Sequence, residues 1–179
     1  MNKEEKFKEL ERTDLWINNS DTKISYLFAV LGIVTTIIFT NNSIIEIIKN
    51  SIKNLFKLDR QDIENILSII VIMTFINLLI FIVRSIYFLF KASTAKININ
   101  DINKGSTLFF GSIASKTIEE FKEQINNQTE EELEEDIVEQ IFINAKICNE
   151  KMKNYNKAIK NLKISMLIFI IFIISIIIM

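Results

Sequence analysis

The sequence contains no histidine, no proline, a single cysteine and only three glycines among 179 residues. Without histidine it lacks the side chain most often used for proton transfer and for metal binding near neutral pH. Cys148 alone can form neither an internal disulfide nor a thiol-rich metal site. Because proline and glycine most often interrupt regular structure, their scarcity predicts a chain that is helical along most of its length.

The sequence also lacks the short motifs of the common enzyme classes. It contains no phosphate-binding loop, dinucleotide fingerprint, zinc-protease motif or nucleophile elbow. Its net charge of −1 gives no overall attraction to nucleic acid. We therefore expect no catalytic site, no metal ion, no cofactor and no nucleic-acid partner.

Long apolar runs, each with a single charged residue (Lys23, Arg84 and Lys163), alternate with densely charged stretches. The runs cover residues 22–40, 66–90 and 163–179, and a helix over the first of them rises about 28 Å, close to the thickness of a hydrocarbon core. None of the runs keeps the polar stripe of a soluble amphipathic helix. The sequence predicts an all-α membrane protein with three transmembrane helices that lie in a lipid bilayer.

The basic residues indicate which segments face the cytoplasm. Residues 1–23 hold five Lys and Arg and residues 91–163 hold eleven, whereas the loop between the first two runs holds four. Cytoplasmic segments carry the excess of Lys and Arg. We therefore expect a cytoplasmic N-terminal helix over residues 1–20 and a cytoplasmic helical sensor segment over residues 91–162. The loop over residues 41–65 and the C-terminus are expected outside.

Two local features lie near the first run. Apolar residues repeat at helical spacing over residues 43–58, which predicts an amphipathic helix that lies flat at the membrane interface or a connector packed on the spans. Ser20 or Asp21 is expected to cap the first span, because an oxygen acceptor there satisfies free backbone N–H groups.

The glycine-containing part of the sensor segment is its least regular region. It includes an apolar island, residues 108–114, which we expect to pack on another part of the protein. A helix over residues 115–126 is expected to follow.

The next helix begins with a capping box formed by Thr129 and Glu132. An acidic run over residues 130–136 lies in its first turns, where the helix dipole favours negative charge. The dipole explains the run better than a metal site does, since neighbouring helical carboxylates do not converge on one ion.

A heptad pattern then continues into the third run. Apolar spacings of three and four over four heptads are typical of a helix packed along one seam. The last cytoplasmic helix is therefore expected to be continuous with the third span. The seam joins copies in a homo-oligomer, with Ile141 and Met152 in the contact, or packs on helices of the same chain such as residues 5–20. The seam positions are Val138, Ile141, Ala145, Cys148, Met152, Tyr155, Ile159, Leu162 and Met166.

Two polar residues interrupt the second run. Asn77 lies near its middle, where an amide usually finds a partner on another helix or lines a pore. Arg84 lies six residues before Phe90 and can extend to the interface or line a functional site. Both residues are candidates for contacts within the membrane or between copies.

The helix before the third run is rich in lysine, with Glu150 as the acidic residue among them. These lysines are the positive cytoplasmic flank of the span, or they bind the phosphate of an anionic nucleotide. They are Lys146, Lys151, Lys153, Lys157, Lys160 and Lys163.

The order of these features resembles that of a known family. The first span is preceded by Glu11-Arg12-Thr13-Asp14-Leu15-Trp16-Ile17 and Asp21-Thr22-Lys23. Two spans are followed by Leu108-Phe109-Phe110-Gly111-Ser112-Ile113-Ala114, and the last span is preceded by Gln140-Ile141-Phe142-Ile143-Asn144-Ala145-Lys146-Ile147. The chain is similar to the Pycsar effectors, the transmembrane effectors of bacterial pyrimidine-cyclase antiphage systems. The resemblance implies that a partner pyrimidine nucleotide cyclase makes cyclic CMP (cCMP) or cyclic UMP (cUMP). It also implies that the effector senses this nucleotide and impairs the cell inner membrane, which stops phage propagation.

A ligand of this kind needs a cation or backbone donors for its phosphate and an aromatic or apolar surface for its base. The candidate binding residues are Phe109 and Phe110 in the loop, and Lys146, Lys151 and Tyr155 on the helix that follows. Two alternatives need no such ligand: a holin-like or channel-like toxin, and a structural subunit of a membrane complex.

The topology generates the first testable prediction. Reporter fusions after residue 100 should read as cytoplasmic and fusions at residue 50 as external, because the longer segment carries most of the Lys and Arg. The opposite pattern of reporter activity would place the sensor segment outside the cell.

Overall fold

The computed structural model describes residues 1–55, 63–94 and 105–178. Six helices lie within these ranges: α1 (Lys3–Thr40), α2 (Asn42–Leu55), α3 (Ile63–Ser93), α4 (Phe110–Ala114), α5 (Ile118–Asn127) and α6 (Glu130–Ile178). Among the described residues, α1, α3 and α6 are the helices long and apolar enough to cross a membrane by length and composition. The predicted all-α membrane fold with three spans is confirmed, and so is the continuity of the last helix with the third span.

The helix ends differ from the sequence predictions in two places. The prediction that Ser20 or Asp21 caps a separate first span is wrong, because α1 passes through both residues without a break. The Ser20 hydroxyl instead donates to the Trp16 carbonyl oxygen at 2.8 Å, one turn earlier in the same helix. Serine can satisfy itself in this way inside a helix, so its presence does not require a helix start.

The helix expected over residues 115–126 begins later, at Ile118. A capping box sets this start: the Thr117 backbone N–H donates to the Glu120 carboxylate at 2.8 Å, and the Glu120 N–H donates to the Thr117 hydroxyl at 3.2 Å. The capping box predicted at Thr129 is present with the same two bonds. The apolar island, expected to be packed, contains the short helix α4, and its Phe110 side chain is 78% exposed.

The chain divides into two compact units. Unit 1 combines residues 1–23 with residues 93–152, and unit 2 combines residues 24–92 with residues 153–179. The helices α1 and α6 contribute to both units.

Unit 2 is built on heptad packing of the three long helices. The buried residues of α1 and α3 follow spacings of three, four or seven, as in helices that pack with side chains interlocked along one seam. On α1 they are Ile24, Leu31 and Ile38, and on α3 they are Ser68, Val71, Leu78, Ile82, Ser85, Leu89 and Ala92. Small buried residues such as Ser85 and Ala158 let the helix backbones approach closely. The Ser85 hydroxyl donates across the seam to the Ala158 carbonyl oxygen at 2.9 Å.

Helix α2 packs on the other helices of unit 2. Its Ile44 is buried in one cluster with Val71 of α3 and Phe172 of α6. The Asn54 amide approaches the Ser68 hydroxyl at 3.4 Å. The described part of the predicted amphipathic helix therefore behaves as a packed connector, while residues 56–58 lie outside the described residues.

The buried seam of α6 lies one residue before the predicted one. Val138 and Met166, both assigned to the seam, are 47% and 61% exposed. Most buried residues of α6 keep the expected spacing, and these are mostly polar or small: Ile137, Gln140, Lys151, Asn154, Ala158, Asn161, Ser165, Phe172 and Ser175. Asp136 and Ile143 are also buried but lie beside this row. Hydrophobic periodicity selected the adjacent apolar row, in which Ile141 and Met152 are half-buried.

The shift of the seam can be tested with two neighbouring residues. Ile137→Ala removes a side chain with no exposed surface and should lower the free energy of unfolding by roughly 2–5 kcal/mol through the cavity it leaves. Val138→Ala should cost less than about 1 kcal/mol, because Val138 is half exposed. Thermal unfolding of both purified variants compares the two positions, and equal losses would contradict the shifted seam.

Candidate functional site

Within unit 1, the buried carboxylate of Asp136 on α6 binds the segment that precedes α4. Asp136 accepts hydrogen bonds from the Ser106 hydroxyl at 2.7 Å, the Thr107 backbone N–H at 2.8 Å and the Thr107 hydroxyl at 3.2 Å. The Ser106 hydroxyl also receives the backbone N–H groups of Leu108 and Phe109 at 3.1 and 2.9 Å. Hydrogen bonds to a carboxylate are stronger than neutral ones, so Asp136 orders the whole turn.

A lysine and one side-chain amide extend this network. The Lys116 ammonium donates to the Gln124 side-chain oxygen, to the Ser112 hydroxyl at 3.2 Å and to the Ser106 carbonyl oxygen at 3.4 Å. The Gln124 amide nitrogen in turn donates to the carbonyl oxygen of Gly105. Gly105 has a backbone φ of +105°, a conformation that residues with a Cβ atom rarely adopt.

An open cavity of about 380 Å³ lies beside this network. Ligand sites in proteins have volumes of roughly 300–1,000 Å³. The lining is polar and strongly acidic, and consists of Gly105, Ser106, Gln124, Asn127, Gln128, Glu132, Glu135, Asp136 and Glu139. Such a lining can hydrogen-bond the edge of a base, but its carboxylates oppose a phosphate. Among the described residues, no group of carboxylates or thiols is arranged to hold a metal ion.

Lys151, predicted as a phosphate ligand, is buried and already paired. Its ammonium lies 2.6 Å from the Asp21 carboxylate and 3.4 Å from the Ser93 carbonyl oxygen, and all three residues belong to unit 1. A phosphate could reach this ammonium only by displacing Asp21. The ion pair thus joins the α1 and α6 parts of unit 1.

The other predicted ligand residues form contacts of their own. The rings of Phe109 and Phe110 contact each other with centroids 4.8 Å apart. The exposed Lys146 ammonium lies 4.2 Å from the centre of the Phe142 ring, a cation–π contact. Tyr155 is half-buried against the core of unit 2. The structure therefore does not gather the five residues predicted for the ligand around the cavity.

The two polar residues of the second span point away from the core of unit 2. Asn77 and Arg84 are both exposed. The Asn77 amide nitrogen donates to the Met73 carbonyl oxygen at 2.8 Å, one turn earlier on α3. Within the described part of the chain, Asn77 is therefore bonded to its own helix and to no other.

Further contacts join the start of α1 to α6 in unit 1. The ammonium groups of Lys3 and Lys6 lie 3.1 and 2.5 Å from the carboxylates of Glu130 and Glu134. The Lys6 hydrogen bond and positive charge lower the pKa of Glu134 below its usual value. The pKa of Asp14 is raised by burial, and its carboxylate accepts from the Asn144 amide at 2.7 Å. These contacts place residues 1–23 and the start of α6 in one packed body.

Sequence reasoning missed three residues of this site: Asp136, Lys116 and Gln124. The sequence places Asp136 in the acidic run over residues 130–136, although it lies four residues before the buried Gln140 and one before the buried Ile137. That position on the inner face of α6 was the available signal. Lys116 and Gln124 carried no sequence signal, because their roles depend on the turn at Gly105.

The fold defines the class of protein: an all-α membrane protein with three helices long and apolar enough to span a bilayer. The family model described as the Pycsar effector protein domain matches residues 6–179, and the chain belongs to this family of transmembrane effectors of antiphage defence.

A curated relative supports the same assignment. The Pycsar effector protein GmPycTM of Gulbenkiania mobilis is 35% identical over 181 residues, which cover 94% of this chain and 90% of the relative. No solved structure matches the chain.

The network around Asp136 generates the second structural prediction. Asp136→Ala should free the turn at residues 105–109, because it removes the acceptor of the hydrogen bonds from Ser106 and Thr107, and each bond is worth roughly 1.5–3 kcal/mol when one partner is charged. Amide hydrogen exchange should rise at Thr107, Leu108 and Phe109. Glu135→Ala, in the neighbouring exposed acid, is the control, and equal exchange in both variants would contradict the role of Asp136.

Proposed function

We propose that the chain senses cUMP or cCMP made by a partner pyrimidine nucleotide cyclase and then impairs the cell inner membrane, which stops phage propagation. The observation that carries this proposal is the match to the Pycsar effector family along nearly the whole chain. The three spans supply the means of reaching the membrane, and unit 1 supplies a polar surface for a soluble ligand. The chain acts without a catalytic centre of its own.

The packing of unit 1 supports the proposed topology. Residues 1–23 and 93–152 form one compact unit, held by ion pairs such as Lys6 to Glu134 at 2.5 Å. Segments that pack together outside the spans lie on the same side of the membrane. The excess of Lys and Arg in both segments favours the cytoplasmic side.

We propose that the nucleotide binds at the turn between Gly105 and Phe110. The cavity beside the turn offers the amides of Gln124 and Gln128 and several carboxylates to the edge of a base. Cytosine presents an amino group and uracil an N–H group, and both can donate to carboxylate oxygens. The exposed ring of Phe110 lies in the same short segment and offers a stacking surface.

Charge decides where the phosphate lies. The cavity carboxylates repel it, and the Lys151 ammonium is already paired with Asp21. Lys116 is the cation bonded to two residues of the cavity rim, Ser106 and Gln124. We place the phosphate at Lys116, and the exposed Lys146 is the second candidate.

Binding at this turn has a direct route to the spans. Asp136 and Gln140 belong to α6 and hold the turn, and α6 continues to Ile178 without interruption. A ligand that pulls Ser106 or Thr107 away from Asp136 would change the packing of α6 in unit 1. The same helix supplies the third span.

The binding test uses calorimetry on the purified full-length protein with cUMP, cCMP and cyclic AMP. We expect binding of a cyclic pyrimidine nucleotide that Lys116→Gln weakens about tenfold, or about 1.4 kcal/mol, through the loss of a charge-assisted contact. Lys122→Gln, in an exposed lysine on α5, should leave affinity unchanged. Phe110→Ala should weaken binding by a similar factor through lost stacking.

Two outcomes would contradict parts of the proposal. Unchanged affinity in Lys116→Gln and Phe110→Ala, with loss in Lys146→Gln, would move the site to the Phe142–Lys146 turn. Failure of every cyclic nucleotide to bind would remove the sensing function. A holin-like or channel-like toxin that needs no nucleotide, or a structural subunit, would then explain the three spans.

A further inference from the structure

Helix α3 carries a polar row on the face that points away from the core of unit 2. Asn77, Arg84 and Lys91 are spaced by seven residues, so they lie on one line along the helix, and all three are exposed. The residues that α3 buries lie on its other side, among them Leu78, Ile82 and Ser85.

Apolar residues separate this row from the rest of the exposed surface of α3. Ile76, Ile80 and Val83 are about half exposed or more. Asn77 and Arg84 therefore form a narrow polar line within an otherwise apolar outer face.

The depth of Asn77 makes a lipid contact costly. It lies about 17 Å along the helix from Ile66 and about 20 Å from Phe90, the ends of the apolar run. Its amide nitrogen donates to the Met73 carbonyl oxygen, but no described residue bonds its amide oxygen. A polar group left without a partner in hydrocarbon costs several kcal/mol in free energy.

Arg84 is the second unsatisfied group. Within the described part of the chain, its guanidinium forms no hydrogen bond or ion pair. Charged side chains inside a span usually face a protein partner or a water-filled cavity. The outer face of α3 thus needs an occupant that brings both a hydrogen-bonding partner and water.

A second copy of this chain meets the first requirement. All copies insert with the same topology, so an axis along the membrane normal brings the same residue of each copy to the same depth. An amide has donors and an acceptor, so Asn77 of one copy complements Asn77 of the next. A buried Asn in a helix seam also fixes the register of the partners.

Arg84 decides the form of the assembly. In a dry contact between copies, two guanidinium groups at the same depth would repel each other strongly, because the dielectric constant is low there. Water between the copies removes most of this repulsion. A ring of arginine side chains around water attracts anions.

We propose that the α3 faces of several copies surround a water-filled path, lined by Asn77 and Arg84, that conducts small anions. This inference deepens the proposed membrane impairment and depends on it: the damage is an anion-selective pore. The apolar Ile80 lies between the two polar residues and narrows the path.

Ion selectivity provides the first test. The full-length protein is placed in planar bilayers under a KCl gradient, and cUMP or cCMP is added. The reversal potential should show chloride selectivity, which Arg84→Lys keeps, Arg84→Gln reduces and Arg84→Glu reverses towards potassium. Val83→Glu is the matched control: it adds the same carboxylate at the same depth on a neighbouring line, and it should not reverse the selectivity.

Thiol accessibility provides the second test, in a Cys148→Ser background. A charged, membrane-impermeant thiol reagent should modify Asn77→Cys at least tenfold faster than Ile76→Cys, its exposed neighbour on another line of α3. The reagent should also block the current through Asn77→Cys.

The outcomes separate this inference from the proposed function. Nucleotide-triggered leakage with unchanged selectivity in all Arg84 variants, and with equal modification of both cysteines, would overturn the pore and leave the effector function standing. Absence of nucleotide-triggered permeability in the unmodified chain would overturn both. Reduced chloride selectivity in Arg84→Gln with the current kept, together with faster modification of Asn77→Cys than of Ile76→Cys, supports the pore.

Discussion

The packing of α6 depends on burying polar side chains at heptad positions. Asn154, Asn161, Ser165 and Ser175 occupy the inner face of this helix within unit 2. Each buried polar group needs a hydrogen bond, because the loss of hydration is otherwise uncompensated. Asn161 and Ser165 donate to carbonyl oxygens one turn earlier, at 2.7 and 2.8 Å. The side chains of Asn161 and Ser165 are thus satisfied by their own helix, and these bonds do not fix the position of its neighbours.

Cross-helix bonds are the contacts that select one arrangement. In unit 2 the Ser85 hydroxyl reaches the Ala158 carbonyl oxygen, and in unit 1 the Lys151 ammonium reaches Asp21. The Lys151 side chain is buried whereas the Asp21 side chain is half exposed, so removing Asp21 would leave a buried ammonium without its partner. Such a pair therefore holds one register of α1 against α6 in unit 1. Seam residues satisfied within their own helix, together with a few cross-helix contacts, suit the repacking that the proposed response to a ligand requires.

The sequence predicted the architecture because apolar length and the scarcity of proline and glycine are properties of whole segments. The three long helices and the continuity of α6 follow from them. The sequence did not predict which face of α6 is buried. The buried row is mostly polar and shows no hydrophobic periodicity, whereas the neighbouring row that contains Val138 and Ile141 is apolar and periodic. The start of α5 was missed for a similar reason, since Thr117 and Glu120 set it rather than an apolar pattern.

The candidate site was less predictable than the fold. Lysine and phenylalanine were chosen for their chemistry, but the partners of each side chain depend on tertiary contacts. The Lys151 ammonium is already paired with the carboxylate of Asp21, a residue 130 positions away in the sequence. Asp136 has a structural role that its acidic neighbours do not share. The sequence shows the position of a charged residue along a helix, but the residue with which it pairs is known only from the folded structure.

The acidic cavity has a consequence for selectivity at the proposed site. Glu132, Glu135, Asp136 and Glu139 give the rim a negative potential that opposes every anion. A cyclic mononucleotide carries one negative charge, while a nucleoside triphosphate carries several, so the same potential penalises the triphosphate several times more strongly. A site that repels triphosphates can be specific for a cyclic mononucleotide without binding it tightly. If the proposed nucleotide site lies at this cavity, its carboxylates should disfavour cellular triphosphates, and UTP or CTP should compete poorly with a cyclic pyrimidine nucleotide.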